Sequence, residues 1–118
     1  MNVEVKNGIA FVESDAALIS DVRSALDLLA TVQHTYNCDR IVVHKGSVAE
    51  SFFDLSTGIA GEILQKFVNY HMKLAIIGDF FHYTSKALRD FIFESNKGSH
   101  IFFVTDEQAA INKLSKGV

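Results

Sequence analysis

The sequence predicts an α/β domain with a mixed, mostly parallel sheet. Three short runs are apolar throughout, which is typical of strands buried on both faces of a parallel sheet. Helical patterns, in which apolar residues recur every three or four positions, follow each run. An Asn-Gly pair near the N-terminus adds an opening antiparallel hairpin. The predicted order is therefore β-β-α-β-α-β-α-β-α, and the apolar runs are 41–43, 74–77 and 101–104.

The hairpin is predicted by Asn7 and Gly8, which stand between the alternating segments 3–5 and 9–12. Both residue types tolerate the positive φ angles of a type I′ turn, which joins two antiparallel strands with only two residues. We therefore expect an antiparallel strand pair at the start of the chain.

The first helix follows the hairpin, and Ser20 is its predicted N-cap because a serine hydroxyl accepts a hydrogen bond from the first helical turn. The apolar positions of this helix are Val22, Ala25, Leu26, Leu29, Val32 and Tyr36.

Three more helices are predicted from the same spacing. The apolar positions of the second lie in 59–68 and those of the third in 88–92, with a C-terminal stop at 96–98. The apolar positions of the last lie in 110–114, and the segment 105–108, with Thr105 first, is its predicted capping box.

Composition limits the classes of function. The chain has 118 residues, 48% of them hydrophobic, which predicts one domain spanning residues 1–118 and leaves apolar surface for a homodimer. The net charge is -3 and no dense Lys/Arg cluster occurs, so nucleic acid is not an expected partner. The N-terminus lacks the pattern of a signal peptide and no apolar span is long enough for a bilayer, so we expect a cytoplasmic location without membrane association.

Cysteine usage gives no sign of a disulfide or metal centre. Cys38 is the single cysteine of the sequence, so it has no partner for a disulfide or for a metal-binding Cys pair. We interpret it as a buried bystander thiol, and no cofactor or metal is expected.

Candidate site residues follow from the predicted topology. Residues just beyond the carboxyl ends of parallel strands gather at one rim of the sheet, where ligands commonly bind. The candidate binding residues at this rim are His44, Lys45, Asp54, Ser56, Thr57, Gly58, Asp79, Phe80, Phe81, His82 and Tyr83.

Ser56 and Thr57 are predicted at the start of the second helix, where backbone N–H groups and the helix dipole favour negative charge. A phosphate on Ser56 would be stabilised there. The alternative is that Ser56 or Asp54 serves only as an N-cap. Gly58 leaves room in the first turn for a ligand or for the backbone of a neighbouring element.

The loop after the fourth strand carries three aromatic residues, Phe80, Phe81 and Tyr83. Exposed aromatic side chains in a rim loop would anchor a partner protein or an apolar ligand. The alternative is that they fold back into the core, as we expect for the Phe pairs at 52–53 and 102–103.

An enzyme is the second hypothesis. His44, Lys45, Asp79 and His82 would line a rim pocket, and a His-Asp pair near Ser56 would resemble a hydrolase site. However, no nucleophile elbow, zinc-protease motif or phosphate-binding loop occurs, so no residue is assigned as catalytic. The alternative function is thus a small enzyme or a small-molecule-binding protein.

Segments 38–45, 52–67 and 83–91 resemble a bacterial family catalogued only as a domain of unknown function. This resemblance extends over nearly the whole chain. It implies a bacterial source and leaves the activity open.

The predicted element order also resembles that of STAS domains, the sulfate-transporter and anti-sigma-factor-antagonist type. Those antagonists carry Asp-Ser-Ser/Thr-Gly-Leu/Ile at the start of the second helix, and a partner kinase phosphorylates the first serine. Aligned on Gly58, Ser56 matches that serine and Thr57 its neighbour, whereas Leu55 replaces the aspartate and Asp54 lies one residue earlier. The resemblance implies a non-catalytic regulatory module that binds a protein partner and is switched by phosphorylation at Ser56.

Overall fold

The computed structural model describes residues 1–115 of the chain. The strands are β1 (Asn2–Lys6), β2 (Ile9–Glu13), β3 (Arg40–His44), β4 (Lys73–Ile77) and β5 (Ile101–Val104). The helices are α1 (Val22–Thr35), α2 (Ile59–Asn69), α3 (Lys86–Lys97) and α4 (Glu107–Ser115). Three short 3-10 turns, Lys45–Ser47, Glu50–Phe53 and Leu55–Thr57, connect β3 to α2.

The five strands form one sheet in the order β1-β2-β3-β4-β5. β1 is antiparallel to β2, and the other neighbouring pairs are parallel. Asn7 and Gly8, with φ angles of 52° and 77°, form the connection from β1 to β2. The predicted hairpin, element order and mixed, mostly parallel sheet are therefore confirmed.

The helices cover the two faces of the sheet unequally. Right-handed connections between neighbouring parallel strands place successive crossover helices on the same face. α1, α2 and α3 accordingly contribute to one large core, whereas α4 packs on the other face over a smaller core. Among the buried side chains of the large core are Leu29, Phe52, Ile63, Phe67, Ile76 and Phe103, and among those of the small core are Val42, Ala75, Phe102 and Leu114.

Both Phe pairs are core residues, as predicted. Phe52 and Phe53 are buried in the large core, whereas Phe102 and Phe103 face opposite sides of the sheet. The alternation of side chains along a strand places consecutive residues on opposite faces.

Two predicted N-caps are wrong by one residue. Asp21, rather than Ser20, caps α1: its Oδ1 accepts a hydrogen bond from the Ser24 N–H at 2.8 Å, and the Ser24 hydroxyl accepts one from the Asp21 N–H at 3.0 Å. α4 begins at Glu107, and Asp106, rather than Thr105, accepts from the Ala109 N–H at 2.7 Å. In both helices a carboxylate directly before the first helical residue is the stronger acceptor.

The predicted stop of α3 is confirmed, since the helix ends at Lys97 and Gly98 follows as its C-cap. In the described part of the chain, no helix combines the length and apolar character needed to cross a membrane.

Candidate functional site

A polar cluster ties the loop after β4 to the turn after β3. The Tyr83 hydroxyl donates a hydrogen bond to the Glu50 carboxylate, with an O···O distance of 3.0 Å. The Lys45 Nζ lies 3.6 Å from Glu50 Oε1 and 4.9 Å from the centre of the Tyr83 ring. The three side chains therefore hold segment 78–85 against the 3-10 turn Glu50–Phe53.

Electrostatics keep this cluster in its neutral-tyrosine, charged-lysine form. Burial is the main cause that raises the pKa of Tyr83; Lys45 acts in the opposite direction, and the Glu50 carboxylate adds to the rise. Burial lowers the pKa of Lys45, but the Tyr83 hydroxyl and the Glu50 carboxylate outweigh it, and the pKa of Lys45 is raised overall. A lysine with a raised pKa is a poor nucleophile, because nucleophilic lysines need a lowered one.

Gly78 lets the Lys45 side chain reach this position. A Cβ added at Gly78 would lie 2.6 Å from the Lys45 Cβ and 3.0 Å from its Cδ. The aliphatic part of Lys45 therefore occupies the space that a side chain at position 78 would need.

Aromatic rings continue from the cluster into the core. Tyr83 stacks on Phe53 with ring centres 5.3 Å apart, Phe53 lies 5.9 Å from Phe80, and Phe80 meets Phe103 edge-on at 5.3 Å. Phe80 and Tyr83 are half-buried, whereas Phe81 is 89% exposed. The loop aromatics thus divide: Phe80 and Tyr83 fold back onto the core, and Phe81 projects into solvent.

Beside Phe81, a cavity of about 400 Å³ lies between the loop and the outer side of α3. We call it the aromatic groove. Phe93 of α3, 58% exposed, lies on its border, and Arg89 is the one charged residue of its lining. The full lining is Phe80, Phe81, Arg89, Ile92, Phe93, Asn96, Phe103 and Thr105.

Sequence reasoning missed Arg89, Phe93 and Asn96. The apolar spacing of α3 marks Leu88, Phe91 and Ile92, and it does not show that other residues of the helix face the loop. Phe93 was the sequence signal that could have indicated a second functional face of α3, because it is an aromatic residue outside the apolar spacing.

Ser56 and Thr57 lie in the 3-10 turn Leu55–Thr57, before α2 begins, so the predicted helix start is wrong for these two residues. Gly58, at φ 76°, separates the turn from the helix. The Thr57 hydroxyl accepts from the Ile59 N–H at 3.2 Å and so occupies the first N–H of α2.

The alternative that Ser56 or Asp54 caps the second helix is also wrong, because Gly58 is the N-cap of α2 and makes no side-chain cap, whereas Asp54 caps only the 3-10 turn Leu55–Thr57. Its Oδ1 accepts from the Ser56 N–H at 3.1 Å and from the Ser56 hydroxyl at 2.6 Å. A phosphate on Ser56 would therefore lie beside a carboxylate, which repels it, and not on the N-terminus of α2.

His44 and Asp79 make separate contacts. His44 lines a cleft of about 120 Å³ on the α4 side of the sheet, together with Phe11, Ile77 and Glu107. Asp79 accepts from the Phe81 N–H at 3.0 Å and shapes the loop.

The exposed His82 ring packs on Tyr83, with ring centres 4.2 Å apart. Because the Ser56 hydroxyl donates to Asp54, the contacts at Ser56 are not those of a Ser-His-Asp arrangement. Within residues 1–115, no three His, Cys, Asp or Glu side chains are placed to hold a metal ion.

Cys38 is buried, and its thiol donates to the Tyr36 carbonyl at 3.3 Å. Burial, with a contribution from Asp39, raises the pKa of the thiol. A thiol in this environment is unreactive, because the thiolate is the nucleophile.

The fold and the site together define a small α/β domain with an open aromatic groove at one rim of its sheet. Residues 4–114 match the family described as "Domain of unknown function (DUF4180)", and the chain belongs to that family. No curated protein and no solved structure gives a significant match.

Proposed function

We propose that this protein is a non-catalytic, STAS-like regulatory module of the bacterial cytoplasm that binds a partner protein through the aromatic groove. The observation that carries the proposal is the 89% exposure of Phe81 directly beside this groove. Large exposed aromatics at the border of an apolar depression are typical anchors of protein interfaces.

The chemistry of the lining indicates the kind of partner. Phe80, Ile92 and Phe103 supply an apolar floor, and Arg89 adds one positive charge. We expect a partner segment that inserts an apolar side chain and presents a carboxylate to Arg89, because a guanidinium pairs with a carboxylate through two parallel hydrogen bonds.

Phosphorylation of Ser56 is the proposed means of regulation. A phosphate there would repel the Asp54 carboxylate, which now accepts two hydrogen bonds from Ser56. Asp54 directly follows Phe53, whose ring contacts Phe80 in the groove lining. A change in the Asp54 turn would thereby reach the groove through a single aromatic contact.

The test is partner capture from the native host with wild type, Phe81→Ser, Arg89→Gln and the control Tyr70→Ser. Tyr70 is also an exposed aromatic, at 49%, but it lies at the end of α2. We expect one protein to be retained by wild type and Tyr70→Ser and lost by Phe81→Ser and Arg89→Gln, and the purified partner to show the same order of affinity by calorimetry.

Equal retention by wild type and all three variants would exclude the aromatic groove as the binding site. Capture of no protein, together with a saturable small ligand at the rim, would instead favour the small-molecule-binding alternative.

The regulatory part has its own test. Ser56→Asp should weaken binding of the identified partner, whereas Ser56→Ala, which removes the hydroxyl without adding charge, should bind like wild type. Equal affinity of both variants for the partner would argue against regulation by phosphorylation at Ser56, and it would not affect the proposal that the protein binds a partner.

A further inference from the structure

Within residues 1–115, β5 is an edge strand of the sheet, with β4 as its one strand neighbour. The carbonyls of His100 and Val104 accept from the Leu74 and Gly78 N–H groups, at 2.7 Å and 2.9 Å. Since strand residues alternate in the direction of their backbone groups, those of Phe103 point away from β4. Edge groups of this kind are a template for pairing with another strand.

The side chain of Asn96 in α3 lies where a neighbouring strand would pair with Phe103. Its amide Nδ2 donates to the Phe103 carbonyl at 3.1 Å, and its Oδ1 accepts from the Phe103 N–H at 2.7 Å. The side-chain amide thereby makes the two hydrogen bonds that a residue of a neighbouring antiparallel strand would make. Lys113 Nζ donates to the Asn96 backbone carbonyl at 3.1 Å and helps to hold it.

Open space lies on both sides of Asn96. The aromatic groove, about 400 Å³, borders Asn96 on the side of Phe80 and Thr105. A second cavity of about 470 Å³ borders it on the side of Ser99 and Phe102. Among the described residues, Asn96 is thus the one shared by the linings of the two cavities along the β5 edge.

The strand itself suits pairing with an identical strand. β5 reads Ile-Phe-Phe-Val, without a charge or a proline, which is the composition of segments that associate edge to edge. In an antiparallel pair centred on Phe103, Ile101 faces Thr105 of the second copy and no like charges meet between residues 101 and 105.

We propose that the outer edge of β5 is a latent pairing surface for β5 of a second copy of this chain, and that the Asn96 side chain masks it. The proposal is independent of the partner that binds the aromatic groove. It predicts that removing the Asn96 amide converts the edge into a self-association site.

The experiment compares wild type, Asn96→Ala, Asn96→Asp and Asn112→Ala by light scattering over a wide range of concentration. Asn112→Ala is the matched control, since it removes a surface asparagine of α4 whose Oδ1 accepts from the Gln108 amide at 3.0 Å. Asn96→Asp keeps an acceptor for the Phe103 N–H, loses the bond to the Phe103 carbonyl, and places a negative charge at the edge.

We expect the average mass of Asn96→Ala to rise with concentration toward about twofold that of wild type, with amide NMR shifts centred on residues 101–105. Asn96→Asp and Asn112→Ala should keep the wild-type mass. Since each copy carries a net charge of -3, association should strengthen with added salt, which screens repulsion between the copies.

Equal masses for Asn96→Ala and Asn112→Ala at all concentrations would overturn the proposal. So would equal association of Asn96→Ala and Asn96→Asp, because association would then follow lost stability and not the open edge. If Asn96→Ala does not fold, Asn96→Ser serves in its place, because a serine hydroxyl is too short to bridge both Phe103 groups.

Discussion

Replacing Gly78 with alanine tests how tightly the loop after β4 packs on Lys45. The added methyl group would lie 2.6 Å from the Lys45 Cβ and 3.3 Å from its Cγ. The Cβ is fixed to the backbone, so a change of rotamer cannot move it away. Either the start of the turn Lys45–Ser47 or the loop itself has to shift.

The expected magnitude combines two opposing effects. Overpacking of this kind destabilises by about 1–3 kcal/mol. Alanine also restricts the unfolded chain, which stabilises the fold by about 0.4–1 kcal/mol. The φ angle of Gly78 lies outside the positive region, so no further backbone strain is added. We therefore expect a net loss of about 1–2 kcal/mol in the free energy of unfolding.

Gly61→Ala is the matched control with the opposite sign. Gly61 lies in α2, and no heavy atom is within 4 Å of the position its Cβ would take. Alanine in a helix is favoured over glycine by about 0.5–1 kcal/mol, so this variant should be more stable than wild type.

The assay is equilibrium unfolding in urea for wild type and the two variants, analysed with a common slope. A Gly78→Ala protein as stable as wild type, or more stable, would refute the close packing of Lys45 on Gly78. Gly78→Ala in a Lys45→Ala background should remain strained, since that substitution keeps the Lys45 Cβ.

Three further predictions use urea or reagent titrations. Tyr83→Phe should lower the free energy of unfolding by about 0.5–1.5 kcal/mol, because the hydrogen bond to Glu50 is lost. The raised pKa of Tyr83 gives stability that is complete below pH 10.0 and lost as pH rises through the folded pKa, so the variant should lose less stability than wild type at alkaline pH. The same alkaline loss of stability in both proteins would contradict this linkage. The hydrogen bond from the Ser24 N–H lowers the pKa of Asp21, so Asp21→Asn should be less stable than wild type above pH 3.8. The difference in stability should vanish as pH falls through the lowered pKa of Asp21, and a difference that persists in acid would contradict this linkage. Cys38 should react with a thiol reagent only at the rate of unfolding, because its thiol is buried. Rapid labelling of the native protein would contradict the burial of this side chain.

The sequence predicted the elements because their signals are local. The apolar runs of β3, β4 and β5 and the spacing of α1 to α4 need no information from distant residues. The Asn7-Gly8 turn is equally local. The errors at Ser20 and Thr105 have one cause: each is followed directly by an aspartate, and a sequence with two adjacent acceptors does not show which of them precedes the first helical residue.

The candidate site was predicted less completely. The predicted topology directed attention to the loop with Phe80, Phe81 and Tyr83, but the sequence left open which of these aromatics would be exposed. Phe80 contacts Phe103 and Tyr83 contacts Glu50, whereas Phe81 has 89% of its surface in solvent.

Residue types and spacing alone therefore determined that this chain forms an α/β sheet with an opening hairpin and that its rim loop is rich in aromatic residues. Tertiary structure decided that His44 faces α4 while Lys45 meets Tyr83, and that Asn96 reaches the edge of β5. The physical reason is that helix and strand periodicities depend on neighbours along the chain, whereas a site depends on contacts between segments far apart in sequence, as between Glu50 and Tyr83.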